Sequence, residues 1–564
     1  MKVERKFTRN PINSIQTGMI ERNKFMKSKK WISMILSIAV ISSLFVGCTN
    51  KSNSSVASNE KITYEIKSTK NNDNEIESNK FSLGTSEMVV RGKTIPFKIE
   101  GIISAPKDIK EKAPIVLIFH GQHGDGENDF EDGFKYLTED LAKNGIIGVS
   151  IDTSVNYTFQ YGEPVENERI TYLTQAYIKA FQDAYDGSKN GFGIYLKDKV
   201  DLDNIGLIGH SVAGSGVLKI AQDQIQKGFK GIKGIISLTP AYNSPIEKFP
   251  DVPTAIIVSE YDGDVIHSGD DVFYDISLDK NRKSPLGLTY LVGGNHNAYN
   301  SVLGEKEFSP PRDTDGTYPE KLGKEEHREF FSNYAVDYMK SIFDFDDSES
   351  PIFSKNGLPS KMYGYQTLNK VKYSDSLELF NKKSFENIDS SNVDTKELVE
   401  SERLDKDTAK LFSNISSSEN LDLLQVDWKS KDGKIELPLN NKNLKDYSAL
   451  KFRWALNSPS ELNSKDKIVS FKLSIVDSKG KESSVTLDND KVSAMKYFEG
   501  KAVRDEYVEG KFMEFWSRYT PISDTIIPID KFKNIDLSNI KGVKIEFENP
   551  ETGSIMLNKI VGIK

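Results

Sequence analysis

Cysteine is nearly absent from this sequence, which holds one, Cys48, in 564 residues. No intramolecular disulfide can form, so stability has to come from packed cores. Histidine is scarce too: six residues, all between 120 and 327. No His/Cys or carboxylate cluster has metal-ligand spacing, and no phosphate loop or dinucleotide fingerprint occurs, so no cofactor is expected. Positive charge is in deficit. Lys and Arg number 75 against 83 Asp and Glu, and the net −8 argues against a nucleic-acid partner. No internal repeat is present. The apolar run from Trp31 to Phe45 is shorter than the ~20 residues that span a bilayer. A hydrophobic content of 37% and a charged content of 28% describe a globular chain, long enough for two or more domains.

The apolar run follows Lys27, Lys29 and Lys30 and ends in Leu44-Phe45-Val46-Gly47-Cys48. This resembles a bacterial lipoprotein signal, which implies cleavage before Cys48, a diacylglyceryl group on its thiol, and attachment to the extracellular face of the cell membrane. An uncleaved anchor or a plain secretory signal is the alternative reading. Residues 1–48 are thus a leader, in which Met26 would start a signal of ordinary length. Residues 49–80, rich in Ser, Asn and Lys, cannot bury enough apolar area to fold and read as a flexible tether.

From 81 to 345 the pattern alternates strands with helices, which predicts an α/β domain with a mainly parallel sheet. Ala113–His120 and Ile146–Ile151 are continuous apolar runs, as strands covered on both faces require. Leu173, Tyr177, Ala180 and Phe181 recur at helical spacing. Residues 346–420 are polar and read as a linker and the start of a second domain. Over 421–564 the period becomes two: Leu450, Phe452 and Trp454 alternate with Lys451 and Arg453, and Val543, Ile545 and Phe547 with Lys544 and Glu546. Short alternating strands of this kind predict a β-sandwich.

Between an apolar strand and a helix stands Gly209-His210-Ser211-Val212-Ala213-Gly214. A sharp turn there would present the Ser211 hydroxyl at the sheet's carboxyl edge; Ala213 departs from the usual G-x-S-x-G. A serine hydroxyl is a weak nucleophile and needs a base, held in turn by a carboxylate. Asp262 falls just past the strand 254–258, and His296 just past 288–292. Ser, Asp, His is the order this architecture uses. Asp264 rivals Asp262, which has the better strand-end offset. Two N–H groups should stabilise an oxyanion: that of Val212, after the serine, and that of Gln122 in His120-Gly121-Gln122-His123-Gly124.

Other readings compete. Ser211 could simply cap a helix. Asp262, Asp264, Asp270 and Asp271 could bind calcium, although their spacing is not that of an EF-hand. His120 and His210 read as loop-ordering residues, and His123, His267 and His327 as surface or pocket-lining. Trp428, Trp454 and Trp516 could stack on sugars if exposed, whereas core packing suits Trp454 better.

The segments HGQHG, GHSVAG, YDGDV and GGNHNAYN together resemble α/β hydrolases of the dienelactone-hydrolase, platelet-activating-factor-acetylhydrolase and cutinase-like esterase branch, over residues 85–345. The resemblance implies an α/β-hydrolase fold and ester hydrolysis through an acyl-enzyme, with Ser211, Asp262 and His296 as the triad. The closing segment DLSNIKGVKIEFENPETGSIMLNKI resembles galactose-binding-like jelly rolls, which implies a glycan partner for 421–564. The expectation is a lipid-anchored serine hydrolase acting on small or polymeric carboxylic esters. A peptidase or amidase using the same residues, or a non-catalytic surface glycan-binding protein, stands as the alternative.

Overall fold

Continuous runs of branched apolar residues become the centre of the sheet. In the computed structural model, residues 65–67 and 74–564 are described, except 124–128, 158–166, 243–245, 247, 267, 305–306, 308–320, 346–349, 399–421, 489–491, 501, 509–510, 517 and 519. Cys48 and its surroundings lie outside the described residues. Strands β1 (Ile76–Val90) and β2 (Lys93–Pro106) form an antiparallel hairpin. Six parallel strands follow in sequence: β3 (Ala113–Phe119), β4 (Ile147–Ile151), β5 (Val200–His210), β6 (Ile232–Leu238), β7 (Thr254–Ser259) and β8 (Leu286–Leu291). A ninth, β9 (Tyr365–Lys372), pairs antiparallel with β8. Across the sheet the order is β9-β8-β7-β6-β5-β3-β4-β2-β1, and two-residue strands at Glu65–Ile66 and Lys361–Met362 extend it beyond β9.

Successive side chains of a strand face opposite ways, so each buried run feeds two cores. Ile115, Leu117, Leu207 and Ile235 pack with helices α2 (Glu168–Asp186), α3 (Val212–Gln226) and α4 (Ser268–Ser277). Val116, Ile118, Ile208 and Ile236 pack with α1 (Lys135–Lys143) and α5 (Lys324–Ile342) on the other face. Strands β3 and β5 are neighbours, yet α1 leaves β3 for one face and α3 leaves β5 for the other. Their diverging connections open a crevice at the carboxyl edge, where α/β sheets place ligands.

Two stretches hold more structure than their composition suggested. Strand β1 begins at Ile76, inside the segment read as tether. It is an edge strand, where polar residues can face water while the backbone pairs with β2. Strand β9 lies inside the segment read as linker, yet Thr367, Asn369 and Lys370 are buried. The polar atoms of Asn369 and Lys370 are matched: Thr289 Oγ1 donates to Asn369 Oδ1 at 2.8 Å, and Lys370 Nζ meets Asp270 Oδ1 at 2.7 Å.

Beyond β9 come two antiparallel sheets of six and five strands that share one apolar core. Trp428 stacks on Phe547 at 4.1 Å, and Trp454 donates to Thr525 Oγ1 at 2.8 Å. Both indoles are fully buried and cannot face a sugar. The Trp516 side chain lies outside the described residues. All of Ala449–Leu456 is buried, Lys451 and Arg453 included, so the alternation seen in the sequence does not mark a solvent face. The charged face is an internal seam against β9. Arg453 grips Asp524 through Nε and Nη2 at 2.8 and 2.9 Å. Asp524 Oδ2 accepts the Val371 N–H at 2.8 Å, and Lys451 Nζ donates to the Val371 carbonyl. Residues 60–564 accordingly group as one compact unit. The protein is a mixed α/β structure with a large mixed sheet followed by antiparallel sheets.

Burial alone would raise the pKa of Asp524; Arg453 and Lys451 reverse this and hold the carboxyl below the usual carboxylate range. Its folded value is depressed, so it contributes stability above the unfolded pKa and loses it only as pH falls through the folded one. Asp524→Ala is expected to destabilise the protein by about 3–5 kcal/mol, because two buried cations lose their counter-charge. Urea unfolding at pH 7 measures this, and a loss below 1 kcal/mol would contradict the seam's energetic role. Among the described residues, no helix is long and apolar enough to cross a membrane.

Candidate active site

Ser211 links the end of β5 to α3 in a conformation, φ 59° and ψ −125°, that non-glycine residues avoid. Such a residue costs about 1–3 kcal/mol and persists only where its surroundings hold it. Here its N–H donates to Leu238 O at 3.0 Å, and its carbonyl accepts from Gly214 and Ala241 at 2.8 and 2.9 Å. A Cβ on Gly209 would sit 2.0 Å from the Ala213 carbonyl, so the turn requires glycine there. Alanine at 213 is tolerated because its methyl enters the core. From the end of β3, Gly121 comes so close that a Cβ on it would meet Ser211 Cβ at 2.5 Å. Gln122 follows, exposed, and Val212 is the first residue of α3, whose N–H has no partner inside the helix.

Asp262 lies just past β7. Its Oδ1 accepts the N–H groups of Asp264, Val265 and Ile266 at 3.0, 2.8 and 3.2 Å. Its Oδ2 faces His296 Nδ1 at 2.9 Å, with both side chains buried. A carboxylate oxygen only accepts here, so Nδ1 carries a proton, and in the neutral imidazole Nε2 holds the lone pair. That Nε2 is buried and makes no hydrogen bond. Its neighbour is Asp264 Oδ2 at 3.5 Å.

The turn that carries Ser211 meets the His296 loop through His210, whose ring centroid is 4.8 Å from that of His296 and whose Nε2–H donates to the His296 carbonyl at 3.0 Å. The structure thus joins Asp262 to His296 and, through His210, sets the His296 loop against the residue that precedes Ser211; no hydrogen bond joins Ser211 Oγ to Nε2. Burial pushes the His296 pKa down; Asp262, then Asp264 and Glu307, outweigh it and hold the imidazole above its ordinary value.

Further side chains shape the site without having been singled out. Glu307 Oε1 accepts from His296 N and Asn297 N at 2.7 and 3.2 Å, and its Oε2 from Gly263 N at 2.5 Å. It therefore ties the Asp262 loop to the His296 loop; burial and Asp262 raise its pKa. Glu260 Oε2 makes a second tie, accepting Gly293 N at 2.9 Å. His327, expected at the surface or pocket rim, is fully buried in α5, where Nε2 accepts from Asn295 N at 2.8 Å and Nδ1–H donates to Gly323 O at 2.7 Å.

His120 orders the β3 loop. Its Nδ1–H donates to Gly121 O, and Nε2 accepts from Thr153 N, each at 2.9 Å. His123 is partly buried, and burial pushes its pKa down to about 3, so it stays neutral. His267 lies outside the described residues.

Two clusters among the described residues have metal-holding geometry: His120 with Glu131 and Asp152, and Asp129 with Glu131 and Asp132. In the first, both imidazole nitrogens are already committed. In the second, Lys80 Nζ neutralises Asp129 and Asp132. The calcium reading divides as well, since Asp262 serves His296 while Asp270 serves Lys370.

No family model matches this chain, and no curated protein matches it.

Proposed function

We propose that this protein is a serine hydrolase of the α/β-hydrolase class that cleaves carboxylic esters through an acyl-enzyme. One observation carries the reading: His296 Nε2 is buried, holds a free lone pair fixed by the Nδ1–Asp262 bond, and lies beside the strained turn that presents Ser211. An unsatisfied buried nitrogen costs stability and calls for a reason, and a general base awaiting a proton supplies one. Hydrogen bonds of this kind are often open in the free enzyme and close around substrate.

In this reading Ser211 Oγ attacks the acyl carbon and Nε2 takes its proton. The resulting imidazolium is stabilised by Asp262. The N–H groups of Val212 and Gln122 hold the oxyanion, aided by the positive end of α3. Nε2 returns the proton to the leaving alcohol, and water then releases the acid by the same route. The sequence before Cys48 supports display on the outer face of a bacterial membrane through a lipid. The antiparallel sheets are proposed to meet glycan, although Trp428 and Trp454 take no part. Parallel assays on p-nitrophenyl acetate and a peptide anilide with one preparation test ester against amide.

The base must be neutral to act, so activity is present above the His296 pKa and lost as pH falls through it. That value is raised, which moves the acidic limb of kcat/KM to higher pH than an unperturbed histidine would give. The groups facing the ring are Asp262, Asp264 and Glu307, with His210 and His123 nearby. Asp264→Asn removes one raising charge and is expected to move the limb to lower pH. A limb that stays in place or moves upward would contradict the assignment.

A further inference from the structure

The end of the chain reaches back into the candidate site. Arg518, from the segment between the last two-stranded hairpin (Ala502–Val508, Lys511–Trp516) and the strand Ser523–Pro528, is buried against β7's outgoing loop. Its Nε donates to Glu260 Oε1 at 2.5 Å, while the other oxygen of Glu260 holds Gly293 N. Its guanidinium also lies over the rings of Tyr261 and Phe498, at 5.9 and 5.3 Å. Glu260 and Tyr261 immediately precede Asp262, and Gly293 leads into His296. Tyr261 N further donates to Gly294 O at 2.7 Å. A buried carboxylate without its cation would turn toward water, and that would release Gly293. From the same side, Phe498 packs edge-on against Tyr290 of β8 at 6.3 Å, and Lys496 Nζ donates to Gln366 Oε1 at 2.9 Å.

We propose that Arg518 is a positioning residue for the Asp262–His296 pair, acting through Glu260, so that the C-terminal sheets are part of the catalytic apparatus and not a detachable binding module. This rests on the serine-hydrolase reading. Catalysis is steep in such placement: a displacement of 1 Å can cost about 100-fold. The full chain carrying Arg518→Met is expected to show kcat per active site lowered at least about 10-fold, with KM changed less than about 3-fold, sites being counted by fluorophosphonate titration.

Arg518→Met/Glu260→Gln, in which a neutral amide oxygen still accepts Gly293 N, is expected to recover part of that loss. Arg518→Lys, which keeps the charge without the planar fork, should fall between wild type and Arg518→Met. A purely structural residue would change the number of titratable sites and leave kcat per site and the pH profile as in wild type. That result overturns the proposal. If Arg518→Met yields no folded protein, Arg518→Lys and the double variant are read on the same two measures, and wild-type kcat per site in both is equally fatal. Absence of label on wild-type Ser211 would instead remove the underlying functional reading.

Discussion

Replacing Ser211 with alanine is expected to lower turnover of p-nitrophenyl acetate by about 10⁴-fold or more. The backbone at 211 is held by Leu238, Gly214 and Ala241 through main-chain N–H and C=O groups that an alanine keeps, so the turn survives the change. The hydroxyl makes no hydrogen bond to His296, so its removal strips no existing partner from that ring. The variant should therefore fold as wild type does and differ only in chemistry. A fluorophosphonate should label wild type at residue 211 and leave the variant unmarked, because only an activated serine reacts readily. Comparable turnover in the alanine variant would end the proposed function.

Asp262→Asn is expected to cost about 10⁴-fold in kcat while leaving the fold intact. An asparagine oxygen can keep the three N–H groups that Oδ1 now accepts, so the loop stays in place. The amide nitrogen then faces Nδ1 and donates to it. That moves the imidazole proton to Nε2 and leaves no lone pair to receive the Ser211 proton. Asp264→Asn changes a half-buried carboxylate 3.5 Å from Nε2, and its kcat above the acidic limb should stay within about 10-fold of wild type. Measured kcat values for the two variants decide between the carboxylates. A larger loss at 264 than at 262 would exchange their roles.

The parallel strands were legible because a strand covered on both faces has to be apolar throughout, as Ala113–Phe119 is. Strand β9 was not, because Asn369 and Lys370 are buried with partners distant in sequence that no local pattern shows. The helix Ser268–Ser277 also escaped notice: its opening Ser-Gly-Asp-Asp reads as a loop, and only Val272, Phe273 and Ile276 mark its apolar side. Among the site residues, Ser211, Asp262 and His296 each stand at a strand end, a position that hydrophobic runs reveal. Glu307 sits in a polar stretch and Arg518 in an aromatic one, neither of which marks a site. Their roles arise only when the chain folds back, so no spacing rule could find them.

The seam around Val371 bears on how such a chain can change over generations. Modules that exchange freely between genes join through solvated linkers, whereas here the ninth strand completes the first sheet and hands its peptide group to Asp524 and Lys451. A recombination crossover between the two parts would separate Lys370 from Asp270, or Asp524 from the strand it holds. Both halves must then be inherited together, and substitutions on one side are constrained by charges on the other.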